Sequence, residues 1–479
     1  MNKNNFKIAL VSMQQDAEKD PPVGLVCLAT YLRDRVGLRN ENIKVFDKNY
    51  YDVEKELINF KPDMLGITAM SVDYMKAINL ARKIKSHYNI PIILGGVHIS
   101  SLPESLKDCF DVGVLGEGEE TLEELIEIYF KYGKLDNKYF KEIKGIVYLD
   151  NKKTVITGMR DLIELDTLPL LDLNFIHKDY FKKEEILGVS IVGIRGPLIS
   201  SRGCPYRCEF CATTRFWRKM RLHSPEYTAR VAEKLIKEHN VDFIYILDDL
   251  FSISPTRLRE IKIEFEKRGI LDKIHAMACT VRANIMTEEL SEAMKELKIK
   301  IINFGFESGS ERILKYLKAG SVSVEMNQKA VLLGVKKGFK VYGSLMYGSP
   351  SETIKDMKKT NNFIDFCAKN GASNIWSFVA TPFPGTPFWD KALEMGTVSN
   401  DMDFSLLDHH ISRRPLLLDK EISFEDFEEV FLEGKKKLRK LRAKLIIDFL
   451  RNNKMNTIKL ISRDPGYYMK RVTKQLFKQ

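Results

Sequence analysis

The sequence has little of what marks an exported or membrane-spanning protein. No apolar run among its 479 residues approaches the roughly 18 residues that span a bilayer. The first residues lack the long apolar stretch and the small-residue cleavage site of a secretory signal. The seven cysteines are an odd number, and an odd number without export makes a poor disulfide framework. The expectation is therefore a cytoplasmic protein.

A basic surface is also missing from most of the chain. The net charge of +11 comes from residues 435–479, which hold 15 Lys or Arg and two acidic residues. The preceding 434 residues sum to −2. This balance is not typical of a nucleic-acid binder, so no nucleic-acid partner is expected.

Within the basic tail, apolar residues recur at helical spacing beside a cationic face. They are residues 438, 441, 445, 446, 449 and 450. Such a helix either packs on the rest of the protein with its lysines in water or docks on an anionic membrane surface. The sequence leaves both interpretations open, and the second would make the protein peripheral to a membrane.

The first part of the chain alternates short apolar runs with helical patterns. The runs that indicate strands are 7–12, 43–46, 64–68, 90–96 and 112–116. Strands that alternate with helices predict a parallel, doubly wound, Rossmann-like sheet. Such a sheet binds ligands outside the carboxyl ends of its strands, so the loops near Gly95 and Gly116 are candidate binding loops.

A second alternating series follows an irregular, charged connector with at most a small hairpin near Gly145. Its candidate strands are 189–194, 243–247, 274–279, 301–306, 340–346 and 374–379. Six units are too few for a closed eight-stranded barrel, so an open, partial (β/α)6 TIM-type barrel is predicted. Residues 424–450 indicate one long helix or a helix pair. The predicted domains are 1–135, a connector 136–187, 188–395 and a helical region 396–479.

Three of the seven cysteines, Cys204, Cys208 and Cys211, fall within eight residues at C-x3-C-x2-C spacing. Their loop directly follows the first strand of the second series. Soft thiolates suit an iron–sulfur cluster or zinc, and three ligands leave one coordination position open, as in a reactive site. The alternatives are a structural zinc site with His223 as the fourth ligand and a loop without metal.

The stretch Ser200-Ser-Arg-Gly-Cys-Pro-Tyr-Arg-Cys-Glu-Phe-Cys resembles the core of radical S-adenosylmethionine (AdoMet, SAM) enzymes. The resemblance implies that the three cysteines hold a [4Fe–4S] cluster whose open iron is chelated by AdoMet. It implies reductive cleavage of AdoMet to a 5′-deoxyadenosyl radical, with an electron donor such as flavodoxin or ferredoxin.

The strand ends of the second series resemble the same family from about Val189 to Phe388. They include Ile246-Leu-Asp248-Asp249, Thr280-Val-Arg282, Asn303-Phe-Gly-Phe-Glu307-Ser308 and the Gly343–Glu352 segment. The AdoMet contacts implied by the resemblance are Phe210, Asp248, Arg282, Glu307, Ser308 and Gly348. A carboxylate at a strand mouth suits a cationic sulfonium or an amine, although each acid alone serves equally well as a loop cap or ion-pair partner.

Glycine-rich loops of the first series look like the cobalamin (B12) domain found upstream of radical AdoMet domains. The cobalamin contacts implied are Gly24, Thr68, Ser71, Gly95, Gly96, His98, Gly116, Glu117 and Gly118. Glycines let the backbone approach a ligand closely. Residues 12–18 lack the histidine that replaces the nucleotide base on cobalt in the D-x-H-x-x-G form of this fold. An open lower cobalt face is therefore expected, with His98 as a hydrogen-bonding loop residue.

Together these features predict a cobalamin-dependent radical AdoMet enzyme that methylates an unactivated carbon of a small or lipid-like molecule. A radical oxidative cyclase or rearrangement enzyme has the same architecture and stays an alternative, because the chain also resembles the anaerobic magnesium-protoporphyrin monomethyl ester cyclase subgroup. A methylthiotransferase would need three further cysteines in the first domain, which has Cys27 and Cys109 alone.

From a different class, a non-catalytic zinc or iron–sulfur scaffold that binds a partner through its basic tail is also open. The substrate pocket is expected between the carboxyl ends of the two sheets. Its predicted roof, residues 396–430, includes Asp408, His409, His410 and Arg413.

Overall fold

The computed structural model describes residues 3–14, 20–186, 191–407 and 413–452. The strands are β1 (Ile8–Ser12), β2 (Ile43–Asp47), β3 (Met64–Thr68), β4 (Ile92–Gly95), β5 (Val112–Val114), β6 (Ile146–Asp150), β7 (Lys153–Ile156), β8 (Lys183–Ile186), β9 (Ile191–Leu198), β10 (Ser201–Arg202), β11 (Arg221–Leu222), β12 (Phe243–Ile246), β13 (Ala276–Val281), β14 (Ile299–Glu307), β15 (Lys340–Tyr347) and β16 (Asn374–Val379). The helices are α1 (Val23–Tyr31), α2 (Val53–Phe60), α3 (Tyr74–His87), α4 (Val97–Ser101), α5 (Glu119–Tyr132), α6 (Thr213–Trp217), α7 (Pro225–His239), α8 (Pro255–Lys267), α9 (Glu288–Glu296), α10 (Glu311–Leu317), α11 (Val324–Lys336), α12 (Ile354–Lys369), α13 (Pro387–Glu394) and α14 (Phe424–Asn452).

The first sheet has the strand order β2-β1-β3-β4-β5-β6-β7. Its first five strands pair in parallel, which confirms the predicted doubly wound sheet. The hairpin β6–β7 joins the edge strand β5 in antiparallel pairing. The predicted hairpin of the connector is therefore an extension of this sheet beyond residue 135.

The second sheet has the order β16-β15-β14-β13-β12-β9-β8. Strands β9 and β12–β16 pair in parallel, as expected for an open partial barrel of six β-α units. Strand β8, which the sequence did not predict, adds an antiparallel edge to β9. All carboxyl ends of the parallel strands lie at one edge, so the loops that follow them meet there.

Several helices of the second series begin with a hydroxyl residue followed by proline. Ser224 accepts a hydrogen bond from the Tyr227 backbone N–H at the start of α7, and Ser254 caps α8 in the same way. Proline suits the first helical position because its missing N–H has no intrahelical partner there. At α12, Thr353 and Asp356 form a capping box. These local signals explain why the predicted helix starts at 225 and 255 are confirmed.

One apolar core runs through both sheets. The same contiguous cluster contains Ile93 and Val112 of the first sheet and Ile244 and Val341 of the second, together with Leu173 of the connecting segment. Burial of each such side chain contributes about 1.5–3 kcal/mol. The two sheets are therefore packed as one body. No helix of the described part is long and apolar enough to cross a membrane.

The sequence of residues 424–450 predicts one long helix or a helix pair, and the structure has the one long helix α14. Leu438 and Leu441 of the apolar stripe are buried, and α14 packs along α12. Arg442 donates hydrogen bonds to the Asn374 side chain at 3.1 Å and the Ile375 carbonyl at 3.3 Å. The first part of the stripe thus faces the second sheet. The side chains at 445, 446, 449 and 450 and residues 453–479 lie outside the described part.

Candidate functional site

A cavity of about 770 Å³ lies at the carboxyl edge of the first sheet, where it meets the second sheet. Of the residues predicted to contact cobalamin, Gly24, Thr68, Gly95, Gly96, Gly116, Glu117 and Gly118 line it. The other side of the cavity is closed by Ser201 and Arg202 of the antiparallel pair β10–β11, and by Leu247 and Asp249, which follow β12 of the second sheet. The structure therefore brings the predicted glycine loops together around one space.

The glycines of this cavity leave backbone open to a ligand. A Cβ added at Gly24, Gly95 or Gly116 would meet no atom within 4 Å. Gly96 is different, because a Cβ there would lie 2.5 Å from Thr68 Oγ1 and its φ is +95°. Gly96 thus lets two strand-end loops touch, whereas the other three expose backbone to the cavity. A bulky ligand such as cobalamin fits this arrangement.

His98 lies behind the Gly95–Gly96 loop and outside the cavity lining. Its ring nitrogens are hydrogen-bonded to the Ser71 hydroxyl at 3.0 Å and the Ser105 hydroxyl at 3.1 Å, and the ring stacks on Tyr74 at 4.0 Å. Burial lowers the pKa of His98 to about 3. Because both nitrogens are engaged, this neutral imidazole supports the loop and is not placed to bind a metal.

Glu117 joins the first sheet to the antiparallel pair β10–β11 through a buried ion-pair network. Arg221 donates two hydrogen bonds to its carboxylate, each of 3.0 Å, and Arg202 donates to Glu117 and, at 2.6 Å, to Glu119. Burial alone would raise the pKa of Glu117, but the hydrogen bonds from Arg221 and Arg202 lower it. Glu117, which is predicted to contact the ligand, therefore also links the first sheet to the pair β10–β11.

The cysteine loop lies between β10 and α6, with Cys204, Cys208 and Cys211 all partly exposed and free of disulfides. The Cys211 thiol donates to the Thr213 hydroxyl at 3.2 Å. Burial raises the pKa of both Cys204 and Cys211, and the neighbouring cysteines add to the rise. Three accessible thiols on one short loop suit an iron–sulfur cluster, since metal binding replaces the thiol protons.

His223 does not complete a zinc site with these thiols. Its Nδ1 atom is hydrogen-bonded to the Asp166 carboxylate at 3.0 Å, and its ring stacks on Tyr227 at 3.9 Å. Burial lowers the pKa of His223 to about 4. Among the described residues, no three His, Cys, Asp or Glu side chains converge on a single metal ion. Within the described part of the chain, His223 is thus held by Asp166 and Tyr227 and joins no such group with the three thiols.

The two acids at the end of β12 have different surroundings. Asp248 is buried and accepts from the Ser200 backbone N–H at 2.7 Å and from the Ser200 and Ser201 hydroxyls at 2.6 and 2.7 Å. Asp249 is exposed to the cavity and accepts from the Thr213 hydroxyl at 3.2 Å. Asp248 thus fixes the loop before the cysteines, and Asp249 is the acid that reaches the cavity.

Glu307 ends β14 in a strained, buried conformation. Its φ is +59°, and the register with β15 shifts between Gly305 and Glu307. Its carboxylate pairs with the Lys318 ammonium at 2.8 Å, and both side chains are less than one-tenth exposed. The Lys318 ammonium also lies 5.2 Å from the centre of the Phe210 ring. Phe210 belongs to the cysteine loop. The ion pair therefore ties the loop to the end of β14.

Replacing Lys318 with methionine is expected to destabilise the protein by about 3–5 kcal/mol, because Glu307 is left as a buried, uncompensated carboxylate. Urea unfolding of the anaerobically purified protein would measure this loss. The double variant Lys318→Met/Glu307→Gln also removes the buried negative charge of Glu307, and it should recover part of the lost stability. A single variant as stable as the wild type would contradict a structural role for the pair.

The remaining predicted AdoMet contacts lie at neighbouring strand ends. The Ser308 hydroxyl is buried and is hydrogen-bonded to the Thr360 hydroxyl at 3.2 Å. Gly348 has a φ of +77°, and a Cβ there would lie 3.1 Å from the Phe427 ring of α14. Four residues later, Glu352 accepts from the Ser349 backbone N–H at 3.0 Å, and its other carboxylate oxygen has no partner within the described part. Burial raises the pKa of Glu352 to about 8.

Glu352→Gln is expected to flatten the pH dependence of folding stability. Below the ordinary pKa of 4.5 the Glu352 carboxyl is protonated in both states. Above it the unfolded chain loses the proton, whereas the folded chain keeps it until about pH 8. Wild-type stability should therefore fall by about 1.4 kcal/mol per pH unit between those values relative to the variant. Chemical unfolding across this range tests the slope, and Glu325→Gln, at an exposed carboxylate of α11, should retain it.

Part of the inner face of the second sheet carries small side chains, and the same face also carries Tyr342 and Trp376. Ile302 and Val341 pack against Gly334 of α11, so the residues that alternate with them face the opposite way. On the central strands the small residues of that inner face are Ala278, Thr280, Gly305 and Ser344, all partly exposed. Three adjacent strands therefore present small side chains toward the inside of the partial barrel.

Sequence reasoning missed the partners of the site residues. Arg202 and Arg221, which hold Glu117, flank the cysteine loop, and the Arg-Gly-Cys order was the available signal for the first. Lys318, the partner of Glu307, and Tyr206 and Ser321, which contact Arg282, had no distinguishing pattern. Side-chain partners of this kind become visible only when distant strand ends are brought together.

Two protein families match the two sheets. Residues 13–126 match the B12 binding domain family, and residues 198–364 match the Radical SAM superfamily. The first match contains the glycine loops of the cavity. The second contains the three cysteines and the strand ends of β12–β15.

Individual proteins extend the similarity over most of the chain. The uncharacterized methyltransferase PH0819 of Pyrococcus horikoshii is 31% identical over 379 residues, covering 78% of each chain. The anaerobic magnesium-protoporphyrin IX monomethyl ester cyclase of Cereibacter sphaeroides is 25% identical, covering 70% of this chain and 54% of its own. The solved structure of the radical SAM methyltransferase TsrM from Kitasatospora setae, with cobalamin and a [4Fe–4S] cluster bound, has the same fold. It superposes with a TM-score of 0.67 at 18% identity, over 86% of this chain and 83% of its own.

Proposed function

The chain belongs to the radical SAM enzymes that carry a B12-binding domain, and from that premise we propose that it transfers a methyl group to an unactivated carbon of its substrate. As a member of this family it is an enzyme whose cofactors are a [4Fe–4S] cluster, AdoMet and cobalamin. The predicted family, fold class and cofactors are thereby confirmed, and the non-catalytic scaffold is excluded. Bound together, these groups supply a 5′-deoxyadenosyl radical and a transferable methyl group.

In this proposal Cys204, Cys208 and Cys211 hold the cluster, and the cavity at the carboxyl edge of the first sheet holds cobalamin. AdoMet lies along the strand ends of the second sheet, near Phe210 and Glu307, with Ser308 and Gly348 beside it. The protein's own part is to orient the cofactors and to keep water from them. We also propose the domain boundaries that the sequence predicts, at residues 135, 187 and 395.

The observation that carries the proposal is a short connection between the cavity and the cysteine loop. Asp249 lines the cavity, its carboxylate accepts from Thr213, and Thr213 accepts from the Cys211 thiol, with both hydrogen bonds at 3.2 Å. These two contacts place Cys211, a proposed cluster ligand, within one intervening side chain, Thr213, of the wall of the proposed cobalamin space. Thr213 and Asp249 would thus position the cysteine loop against the cavity wall, so that a substrate held between them would lie beside both cofactor sites.

The substrate is proposed to be apolar or lipid-like where it meets this junction. Met70 from the end of β3 and Leu247 from the end of β12 are exposed, large apolar side chains, and both line the cavity. The predicted roof over this junction includes Arg413, whereas Asp408, His409 and His410 lie outside the described residues. We place the substrate between the two strand ends, above the small side chains of the inner face.

Oxidative cyclisation is the second candidate, because the similarity to the cyclase of Cereibacter sphaeroides extends over 70% of this chain. Anaerobic reconstitution with AdoMet, a reductant and hydroxocobalamin separates the two. Formation of both 5′-deoxyadenosine and S-adenosylhomocysteine supports methylation. 5′-Deoxyadenosine without S-adenosylhomocysteine would favour cyclisation or rearrangement, and the absence of both would contradict the proposed function.

Two partners complete the proposal. A flavodoxin- or ferredoxin-like donor supplies the electron, which a comparison of such a protein with chemical reductant would test. Docking of the basic tail on an anionic membrane stays a prediction for the segment after residue 443, because Leu438 and Leu441 are buried against the second sheet. Equal co-sedimentation of full-length and tail-deleted protein with anionic liposomes would contradict it.

A further inference from the structure

Arg282, at the end of β13, points its guanidinium at one of the three cysteine thiols. Its Nη1 group donates to Cys208 Sγ at 3.3 Å, and its Nη2 group donates to the Ser321 hydroxyl at 2.5 Å. The side chain is less than one-tenth exposed. A buried cation is therefore held against a single sulfur atom of the cysteine loop, and the other two thiols have no comparable contact within the described part.

The loop itself helps to hold Arg282 in place. The guanidinium lies over the Tyr206 ring, 3.9 Å from its centre, and the Asn284 side chain donates to the Tyr206 hydroxyl at 3.1 Å. Tyr206 lies between the first two cysteines, so loop and strand end fix each other. A planar cation that is stacked on a ring and hydrogen-bonded at both ends has little freedom to move.

We propose that Arg282 is a positioning residue that sets the reduction potential of the cluster through Cys208. The inference rests on the proposed role of the three cysteines as cluster ligands. Hydrogen bonds to ligand sulfurs and nearby charge are the protein's means of tuning an iron–sulfur potential. A fixed positive charge stabilises the more negative, reduced cluster, and its burial limits screening by water and salt. Arg282 therefore makes the cluster easier to reduce.

This role differs from the AdoMet contact predicted from the strand-end motif. One N–H group of each terminal nitrogen of Arg282 is already committed, to Cys208 and to Ser321, and the Nε group has no partner among the described residues. The charge thus acts on the thiolate before AdoMet is present. Its effect should be measurable on the cluster alone.

The test is a redox titration of the reconstituted protein without AdoMet, followed by the electron paramagnetic resonance of the reduced cluster. Arg282→Met removes the charge and keeps an apolar side chain of similar length. The ratio of reduced to oxidised cluster at a fixed potential should fall about tenfold, which for a one-electron couple corresponds to 59 mV. Arg207→Met is the matched control, because Arg207 directly precedes Cys208 but is exposed to water.

Arg282→Lys adds a second measurement that does not depend on the methionine variant assembling its cluster. Lysine keeps the charge but cannot bridge Cys208 and Ser321, so an intermediate fall in the ratio is expected. An unchanged ratio in Arg282→Lys and Arg282→Met, or an equal fall in Arg207→Met, would overturn the inference. A wild-type protein that binds no cluster would instead overturn the proposed function, so the two failures are distinguishable.

Discussion

Replacing Cys204 with alanine abolishes cluster assembly and the reductive cleavage of AdoMet, if the three cysteines act as proposed. Each thiolate holds one iron of the cluster, and the fourth iron has no protein ligand. Loss of a ligand leaves two iron atoms open, and the remaining pair of thiolates does not hold a cubane firmly. Iron and sulfide content should fall well below that of the wild type, and 5′-deoxyadenosine formation should fall to background. The broad absorption of the thiolate-bound cluster reports the same loss.

The matched control is Cys109→Ala. Cys109 is also a free cysteine, but it is buried in the first sheet's core, and burial raises its pKa to about 11. This variant loses a small apolar contact and should keep its iron. If Cys204→Ala retained the wild-type iron content and turnover, the cluster would have to bind elsewhere and the proposed function would fail.

Gly95→Leu is expected to block cobalamin while leaving the fold intact. A Cβ at Gly95 meets no atom within 4 Å, so the new side chain extends into the cavity and not into a neighbouring strand. Because the cavity must then accommodate four extra carbon atoms, binding should weaken by about 1–3 kcal/mol, roughly fivefold to 150-fold. Equilibrium titration with hydroxocobalamin, followed by visible absorption, measures the change.

Gly158→Leu provides the control for the same substitution. A Cβ at Gly158 also meets no atom within 4 Å, but this glycine is exposed and lies outside the cavity lining. It should bind cobalamin as the wild type does. The cluster content of Gly95→Leu should also remain unchanged, since the three cysteines lie in the loop between β10 and α6 and not among the residues that line the cavity. Wild-type cobalamin affinity in Gly95→Leu would show that the vitamin does not occupy this cavity.

Most of the fold could be predicted because most buried strands are short apolar runs that can be recognised in the sequence. β3 and β16 have the bounds that the apolar runs at 64–68 and 374–379 indicate. β13 begins two residues later than predicted, because Ile274 ends a preceding helical turn and does not enter the sheet. Strand β8 was missed, since its Lys-Glu-Glu-Ile sequence lacks the apolar pattern of a buried strand.

The site was predictable where residues follow one another and not where partners come from distant segments. The cysteine loop and the glycine loops are local motifs, and the glycine loops meet at the cavity. Asp248 has the position expected of a ligand contact, yet its carboxylate is hydrogen-bonded to Ser200 and Ser201, 48 and 47 residues away. Such pairings depend on how the strand ends converge in the folded protein. The periodicity of apolar residues in the sequence contains no information about this.

The core that runs through both sheets has a consequence for how the molecule comes apart. Ile93 and Val112 share one apolar cluster with Ile244 and Val341, and Arg202 reaches across to Glu117 and Glu119. If either half of the chain unfolds, the other half exposes apolar surface to water and loses the partners of its buried charges. Heating should therefore produce a single cooperative transition, and a fragment ending near residue 187 should be far less stable than the same residues in the whole chain.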